Sequence, residues 1–236
     1  MPDYVVTVPE IVSVPILGSD GRFPVRRIYC VGRNYAAHVR EMGGDQRDLP
    51  VFFQKPRDAI VQNGSTVPYP ALTEDLQYEI ELVLAIGRGG TDIPRGEAVA
   101  HVFGLAAGID LTRRDLQLQA KKKGNPWEIA KAFDRSAPIT AIRPLDGAAL
   151  PASGAISLAV NDVTQQSADL AEMIWSCAEI IATLSTCDRL EPGDLIYTGT
   201  PAGVGPVQPG DRLVGRIDGL PELEIWIGEK VENASR

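Results

Sequence analysis

Short apolar runs separated by glycine and proline dominate this chain, and that punctuation constrains the fold more than any other feature. The 236 residues include 23 glycines and 18 prolines. Residues 4–8, 11–16, 27–31, 50–54, 59–61, 77–86, 102–109, 156–160, 195–198, 212–217 and 223–227 each read as a strand bounded by turn chemistry. One stretch, residues 170–184, keeps a helical repeat over several turns, with Leu170, Met173, Ile174, Cys177, Ile181 and Leu184 at three- and four-residue steps. Asp169 and Glu172 resemble the capping box that would open it. Shorter helices are expected over 35–42 and 115–123, stopped by Gly43 and Gly124. Many strands and few helices predict a β-rich α+β domain rather than alternating βαβ units.

Charge and composition exclude several classes. The net charge of -8 argues against nucleic acid, whose binders carry excess Lys and Arg. The basic run Lys121-Lys122-Lys123 reads as a solvated surface patch, with local attraction of an anionic substrate as the alternative. The longest apolar stretches, such as 102–109, fall far short of the roughly 20 residues that a spanning helix needs. The N-terminal MPDYVVTVPE lacks the basic start and apolar region of a signal peptide. Three dispersed cysteines, Cys30, Cys177 and Cys187, argue against a disulfide framework and for a reducing, cytoplasmic location.

The sharpest local signal is Glu79-Ile80-Glu81. Residues two apart in a strand project from the same face, so the two carboxylates point one way and repel unless a positive group lies between them. A solvent-facing edge strand would also account for the pair. Asp110 ends the apolar run 102–109 and is well placed to be a third oxygen ligand. Three carboxylates without cysteine suit a hard cation, Mg²⁺ first, with Mn²⁺ or Ca²⁺ as alternatives, over Zn²⁺.

The chain has two histidines. His38 lies three residues before Glu41 on the expected short helix, where the pair would share a face. A carboxylate that orients an imidazole suits a general base, and an exposed helix pair without a role is the alternative. His101 has no evident partner and reads as structural.

Six segments together resemble the fumarylacetoacetate hydrolase family in order and spacing. They are Gly32-Arg33-Asn34-Tyr35-Ala36-Ala37-His38, Phe53-Gln54-Lys55-Pro56, Tyr78-Glu79-Ile80-Glu81-Leu82, the stretch from Asp110 to Gln117, the stretch from Trp127 to Asp134, and the stretch from Thr198 to Gly205. The resemblance runs from about Arg26 to the C-terminal strands. It implies a mixed β-roll catalytic domain over 26–236, preceded by a β-hairpin extension over 1–25, and a homodimer. It also implies Mg²⁺ or Mn²⁺ held by Glu79, Glu81 and Asp110, with His38 and Glu41 as the water-activating dyad and Lys131 beside the metal. Arg33, Tyr35, Lys55, Arg114, Gln117 and Thr200 fall at substrate-side positions. Residues 23–35 and 121–129 resemble the subgroup that acts on fumarylpyruvate in gentisate breakdown.

The chemistry expected is hydrolysis of a carbon–carbon bond in a small diketo acid of the acylpyruvate type. The departing carbanion becomes a pyruvate enolate, whose oxygen a divalent cation can stabilise. Three carboxylates, a divalent ion and a dianionic substrate together remain negative, so Lys131 and Arg114 are expected to supply balancing charge, Arg114 by a bidentate grip on the far carboxylate. Acylpyruvase or oxaloacetate decarboxylase activity is the alternative within the family. A metal-stabilised binding protein without turnover is the alternative outside it.

Overall fold

The computed structural model describes residues 4–41 and 49–230, and the backbone alone for residues 39–41. The chain opens with the hairpin β1 (Ser13–Pro15) and β2 (Arg22–Pro24), followed by β3 (Ile28–Gly32), α1 (Ala36–Glu41) and β4 (Val51–Lys55). Next come β5 (Ile60–Gln62), β6 (Thr66–Tyr69), β7 (Leu76–Tyr78), β8 (Ile80–Ile86), β9 (Val102–Ile109) and β10 (Thr112–Arg113). Helices α2 (Arg114–Lys123) and α3 (Glu128–Lys131) precede β11 (Ala137–Ile139), β12 (Arg143–Pro144), β13 (Ala155–Val160) and β14 (Val163–Asp169). The chain then runs through α4 (Cys177–Cys187), β15 (Leu195–Tyr197), β16 (Gly205–Pro206), β17 (Arg212–Ile217) and β18 (Leu223–Lys230).

Two large sheets form the body of this β-rich α+β fold. One has the order β4-β3-β15-β8-β9-β11-β5, with β12 also on β9, and the other the order β14-β13-β17-β18-β6. Parallel pairs (β15 with β3, β11 with β5, β18 with β6) mix with antiparallel ones. Strand β8 lies between β15 and β9, and all seven of its residues are buried. The period of two divides them. Ile80, Leu82, Leu84 and Ile86 enter the larger core with Leu213 and Ile225 of the second sheet. Val83 and Ala85 face the smaller core, which Val14 and Phe23 of the hairpin help to close.

The expectations at the N-terminus and around residue 170 need correction. Residues 4–8 form no strand; Tyr4, Val5, Val6 and Val8 are all exposed, so no apolar face is available to hold one. The expected helix over 170–184 is two elements. A single 3₁₀ turn, Leu170–Glu172, carries the Asp169–Glu172 capping box, and α4 begins afresh after Ser176. Ser176 and Glu179 make a second capping box that fixes the later start. The expected continuous strand over 77–86 is interrupted at Glu79. Helix α2 ends as expected at Gly124, which adopts the left-handed conformation (φ 68°) and donates its N–H to the last turn.

Candidate metal centre and its pocket

Strands β8 and β9 run antiparallel, with Ile80 opposite Ile109 and Glu81 opposite Gly108. That register brings Glu79 and Glu81 at the start of one strand against Asp110 at the end of the other. Asp110 N donates to Glu79 O at 2.8 Å, which fixes the two chain segments to each other. One carboxylate oxygen from each of Glu79, Glu81 and Asp110 lies within 4.8 Å of the others, and all three residues are buried. The edge-strand explanation for the Glu pair is excluded, because β8 is interior.

Cations surround the cluster unevenly. Lys131 Nζ donates to Glu79 Oε2 (2.8 Å), Asp110 Oδ2 (2.6 Å) and Thr112 Oγ1 (2.6 Å), using all three ammonium protons. Arg114 donates through Nη2 to Glu79 Oε1 (2.5 Å), through Nε to Gln77 (2.8 Å) and through Nη1 to Gln117 (2.5 Å). Glu81 takes part in no ion pair among the described residues; it accepts a hydrogen bond from Gly199 N at 2.7 Å. Burial and the charges of Asp110 and Glu79 push its carboxyl well above the usual carboxylate range. Glu79 goes the other way: burial alone would raise it, but Lys131, Arg114 and His38 draw it far down. Burial alone would lower Lys131, and Asp110 with Glu79 more than offset this, holding its ammonium protonated.

This arrangement fits a divalent cation. The donors are hard carboxylate oxygens, and Glu81 lacks a positive partner in a low-dielectric setting. Asp110 Oδ1 accepts no hydrogen bond among the described residues, although Lys55 Nζ lies 2.8 Å away in an ion-pair contact. The cluster is one that can hold a metal ion.

A pocket opens beside the cluster and reaches it at Glu79. His38, Glu79, Arg114, Gln117, Lys131 and Thr200 line it, together with Arg33, Phe53, Trp127 and Lys121. Thr200 is held by Gln166, whose Nε2 donates to Thr200 Oγ1 and to Pro201 O, both at 2.8 Å. Gln166 Oε1 accepts from Ile80 N (3.1 Å), the amide between the two glutamates. The turn before Thr200 requires Gly199: φ is 98°, and an added Cβ would lie 2.7 Å from Asn34 Cβ.

Most sequence-derived site residues are therefore brought together, with three differences of placement. Lys55 lies behind the pocket wall, fully buried, where Nζ donates to Leu111 O (3.1 Å) and Lys131 O (2.5 Å). Tyr35 is likewise absent from the pocket lining, and its buried hydroxyl has no hydrogen-bond partner among the described residues. Arg114 is not an open clamp, because all three of its guanidinium nitrogens are engaged by the chain's own groups. The side chain of Glu41 lies outside the described residues. His101 shares a hydrogen bond with Arg88 O through Nδ1 (3.0 Å), in keeping with a structural role.

Gln166 is a site neighbour that sequence reasoning missed, and Lys121 is one to which it gave a substrate role only as the alternative to a solvated patch. Gln166 sits in a polar strand with no apolar alternation to mark it. Lys121 carried a signal, since it falls seven residues after Arg114 on the same helical face.

Residues 27–227 match the family model for the fumarylacetoacetate (FAA) hydrolase C-terminal domain. The chain belongs to the fumarylacetoacetate hydrolase family. Among relatives within it, a fumarylpyruvate hydrolase from Ralstonia sp. is 46% identical over 177 residues, covering 75% of this chain and 92% of the relative. A crystal structure of fumarylpyruvate hydrolase from Pseudomonas aeruginosa, in complex with Mn²⁺ and pyruvate, superposes with a TM-score of 0.94 at 51% identity. The match covers 97% of this chain and 100% of that one. A mitochondrial oxaloacetate tautomerase from Homo sapiens is 42% identical, covering 88% of this chain and 93% of the relative.

Proposed function

We propose that this chain hydrolyses fumarylpyruvate to fumarate and pyruvate, as a step in gentisate-type aromatic catabolism. The coarser statement is not in question: family membership and relatives 46–51% identical make it a hydrolase acting on carbon–carbon bonds. One observation carries the finer reading: Glu79, a member of the buried Glu79–Glu81–Asp110 cluster, lines one pocket together with His38, so a candidate metal ligand and a candidate base adjoin the same space. Mg²⁺ is the proposed ion, with Mn²⁺, present in the Pseudomonas aeruginosa complex, or Ca²⁺ as substitutes. The protein works as a cytoplasmic homodimer in this proposal, with residues 1–25 a hairpin extension of a catalytic domain that begins near Arg26. No helix among the described residues is long and apolar enough to cross a membrane.

When bound, the divalent ion supplies positive charge for the 2-oxo and carboxylate oxygens of an acylpyruvate and for the enolate that develops there. Everything else falls to the side chains. His38 takes a proton from water as its oxygen bonds to the distal carbonyl carbon, with Glu41 the proposed partner of that imidazole. The bond between that carbon and the methylene of the pyruvate portion then breaks. Its electron pair moves into the pyruvate fragment, which is protonated to pyruvate. Lys131 keeps an ammonium beside the developing negative charge, and Thr200 offers a hydroxyl to the substrate carboxylate. Arg114, itself held by Gln117, braces Glu79.

A panel of fumarylpyruvate, maleylpyruvate, acetylpyruvate and oxaloacetate with Mg²⁺ tests the reading. Fumarate release from fumarylpyruvate at the highest kcat/KM is expected. The oxaloacetate tautomerase relative supports a second reading, in which oxaloacetate is enolised or decarboxylated at the same site. Turnover of oxaloacetate alone would replace the first reading with that one.

A further inference from the structure

We propose that Gln166 is a positioning residue for this site: it fixes the Thr200 hydroxyl as a hydrogen-bond donor into the pocket. The inference rests on the reading that Thr200 meets the substrate carboxylate, and it gives a role to a residue of the second sheet.

An irregularity in strand pairing delivers this side chain. In the β13–β14 ladder Leu158 stands opposite Gln166 and Ala159 opposite Thr164, so Gln165 has no partner and forms a bulge. Gln166 beside it is the one fully buried residue of β14. The loop that follows Thr200 packs on the bulge. A Cβ added at Gly203 would overlap Gln165 O, and the φ of 94° there favours glycine.

The contacts of the Gln166 amide admit one orientation. Ile80 N–H can only donate, so it faces Oε1 (3.1 Å). Pro201 O can only accept, so it faces Nε2 (2.8 Å). The second Nε2 proton then goes to Thr200 Oγ1 (2.8 Å). Flipping the amide would set N–H against N–H and two carbonyl oxygens against each other. Thr200 Oγ1 is therefore an acceptor towards Gln166, and its own hydrogen points elsewhere. That hydrogen has no acceptor among the described residues, although Thr200 is buried and lines the pocket. An anionic oxygen in the pocket satisfies it. Without the Gln166 amide the hydroxyl is a free rotor, which binding must then order.

Little else holds this geometry. Pro201 has no N–H, and Gly199 N is used by Glu81 Oε2 (2.7 Å). Ile80 lies between Glu79 and Glu81, so a single side chain sets the pocket's donor against the strand that carries two candidate metal ligands.

A double-mutant cycle tests this, with pyruvate as the probe because it carries the carboxylate and cannot be cleaved. Pyruvate affinity of the full chain is measured by calorimetry at saturating Mn²⁺. Thr200→Val should weaken it by about tenfold or more, the size of one charge-assisted hydrogen bond. Gln166→Met should weaken it by about five- to tenfold. The double variant should lie within about twofold of Thr200→Val alone, because Gln166 acts through the hydroxyl. Gln166→Glu keeps the side-chain volume and the bond from Ile80 N–H, and the same cycle run with it covers a Met variant that does not fold. With fumarylpyruvate the loss should fall on KM rather than kcat, since the carboxylate is charged from substrate to product. Losses that simply multiply in the double variant overturn the proposal, because Gln166 would then act by another route. Wild-type pyruvate affinity in either single variant overturns it as well, as does a fall in kcat at unchanged KM. A wild-type chain that cleaves no acylpyruvate refutes the catalytic reading separately, since the pyruvate cycle needs no turnover.

Discussion

Replacing Lys55 by Met removes a cation that touches no pocket surface, and its consequences can be worked out from three contacts. Lys55 Nζ lies 2.8 Å from Asp110 Oδ1 and donates to Leu111 O and Lys131 O. Met conserves much of the stem volume and removes the charge and the donors. Breaking a buried ion pair from one side costs about 3–5 kcal/mol, because the remaining charge is left in a poor dielectric. Asp110 keeps Lys131, which pulls the value down; two carbonyls lose a donor, which pulls it up. An expected loss of about 3–4 kcal/mol in the metal-free protein follows, or a Tm lower by roughly 6–16 °C for a chain of this size. A divalent ion at the cluster replaces part of the missing positive charge. Mn²⁺ should therefore raise the Tm of the variant by more than it raises that of wild type. Urea unfolding and thermal scans, each with chelator and with saturating Mn²⁺, measure both quantities. A metal-free loss below about 1 kcal/mol, the level of an exposed pair, would refute the reasoning. An equal Mn²⁺ increment in both proteins would refute the electrostatic half of it.

Asp110→Asn should weaken Mn²⁺ binding by more than about a hundredfold, beyond what altering a group outside the ligand set costs; unchanged calorimetric affinity would remove Asp110 from that set. Gln166→Leu strands Ile80 N–H and releases Thr200 and Pro201, so a loss of roughly 2–4 kcal/mol is expected in urea unfolding. A neutral result there would show that the Thr200 turn is held by other groups. In metal-free protein the raised Glu81 carboxyl makes stability rise as pH falls through its folded value towards the ordinary carboxylate range. Below that range the depressed Glu79 protonates and stability is lost again. Saturating Mn²⁺ should abolish the first of these slopes, and a Tm that varies identically with pH in chelator and in Mn²⁺ would contradict the assignment.

The sequence made the carboxylate cluster legible because strand geometry and charge repulsion speak to the same two residues. Glu79 and Glu81 stand two apart, and nothing but a compensating cation makes that tolerable in an interior strand. What the spacing did not reveal was the interior position of β8, since one of the two strands that flank it, β15, lies far along the chain. The expectation over 170–184 went wrong because the apolar repeat carries on across the point where the chain turns. Ser176 restarts the helix through its own capping box, a signal hidden within that apolar run. Strand β14 was missed for the opposite reason: Thr164, Gln165, Gln166 and Ser167 offer no apolar alternation, and its one inward amide, Gln166, belongs to a residue type found mostly at surfaces. Lys55 shows where a matched motif misleads, because a residue in a site motif can serve the site from behind.

The buried charges also bear on what the site will accept. Glu79, Glu81 and Asp110, when ionised, are balanced by Lys55, Lys131 and Arg114, all buried. A divalent ion leaves this group with two positive charges in excess, in surroundings where uncompensated charge is costly. A dianion restores neutrality and a monoanion does not. That condition favours fumarylpyruvate over acetylpyruvate, but oxaloacetate meets it equally well. Charge counting alone therefore leaves the two readings of function level.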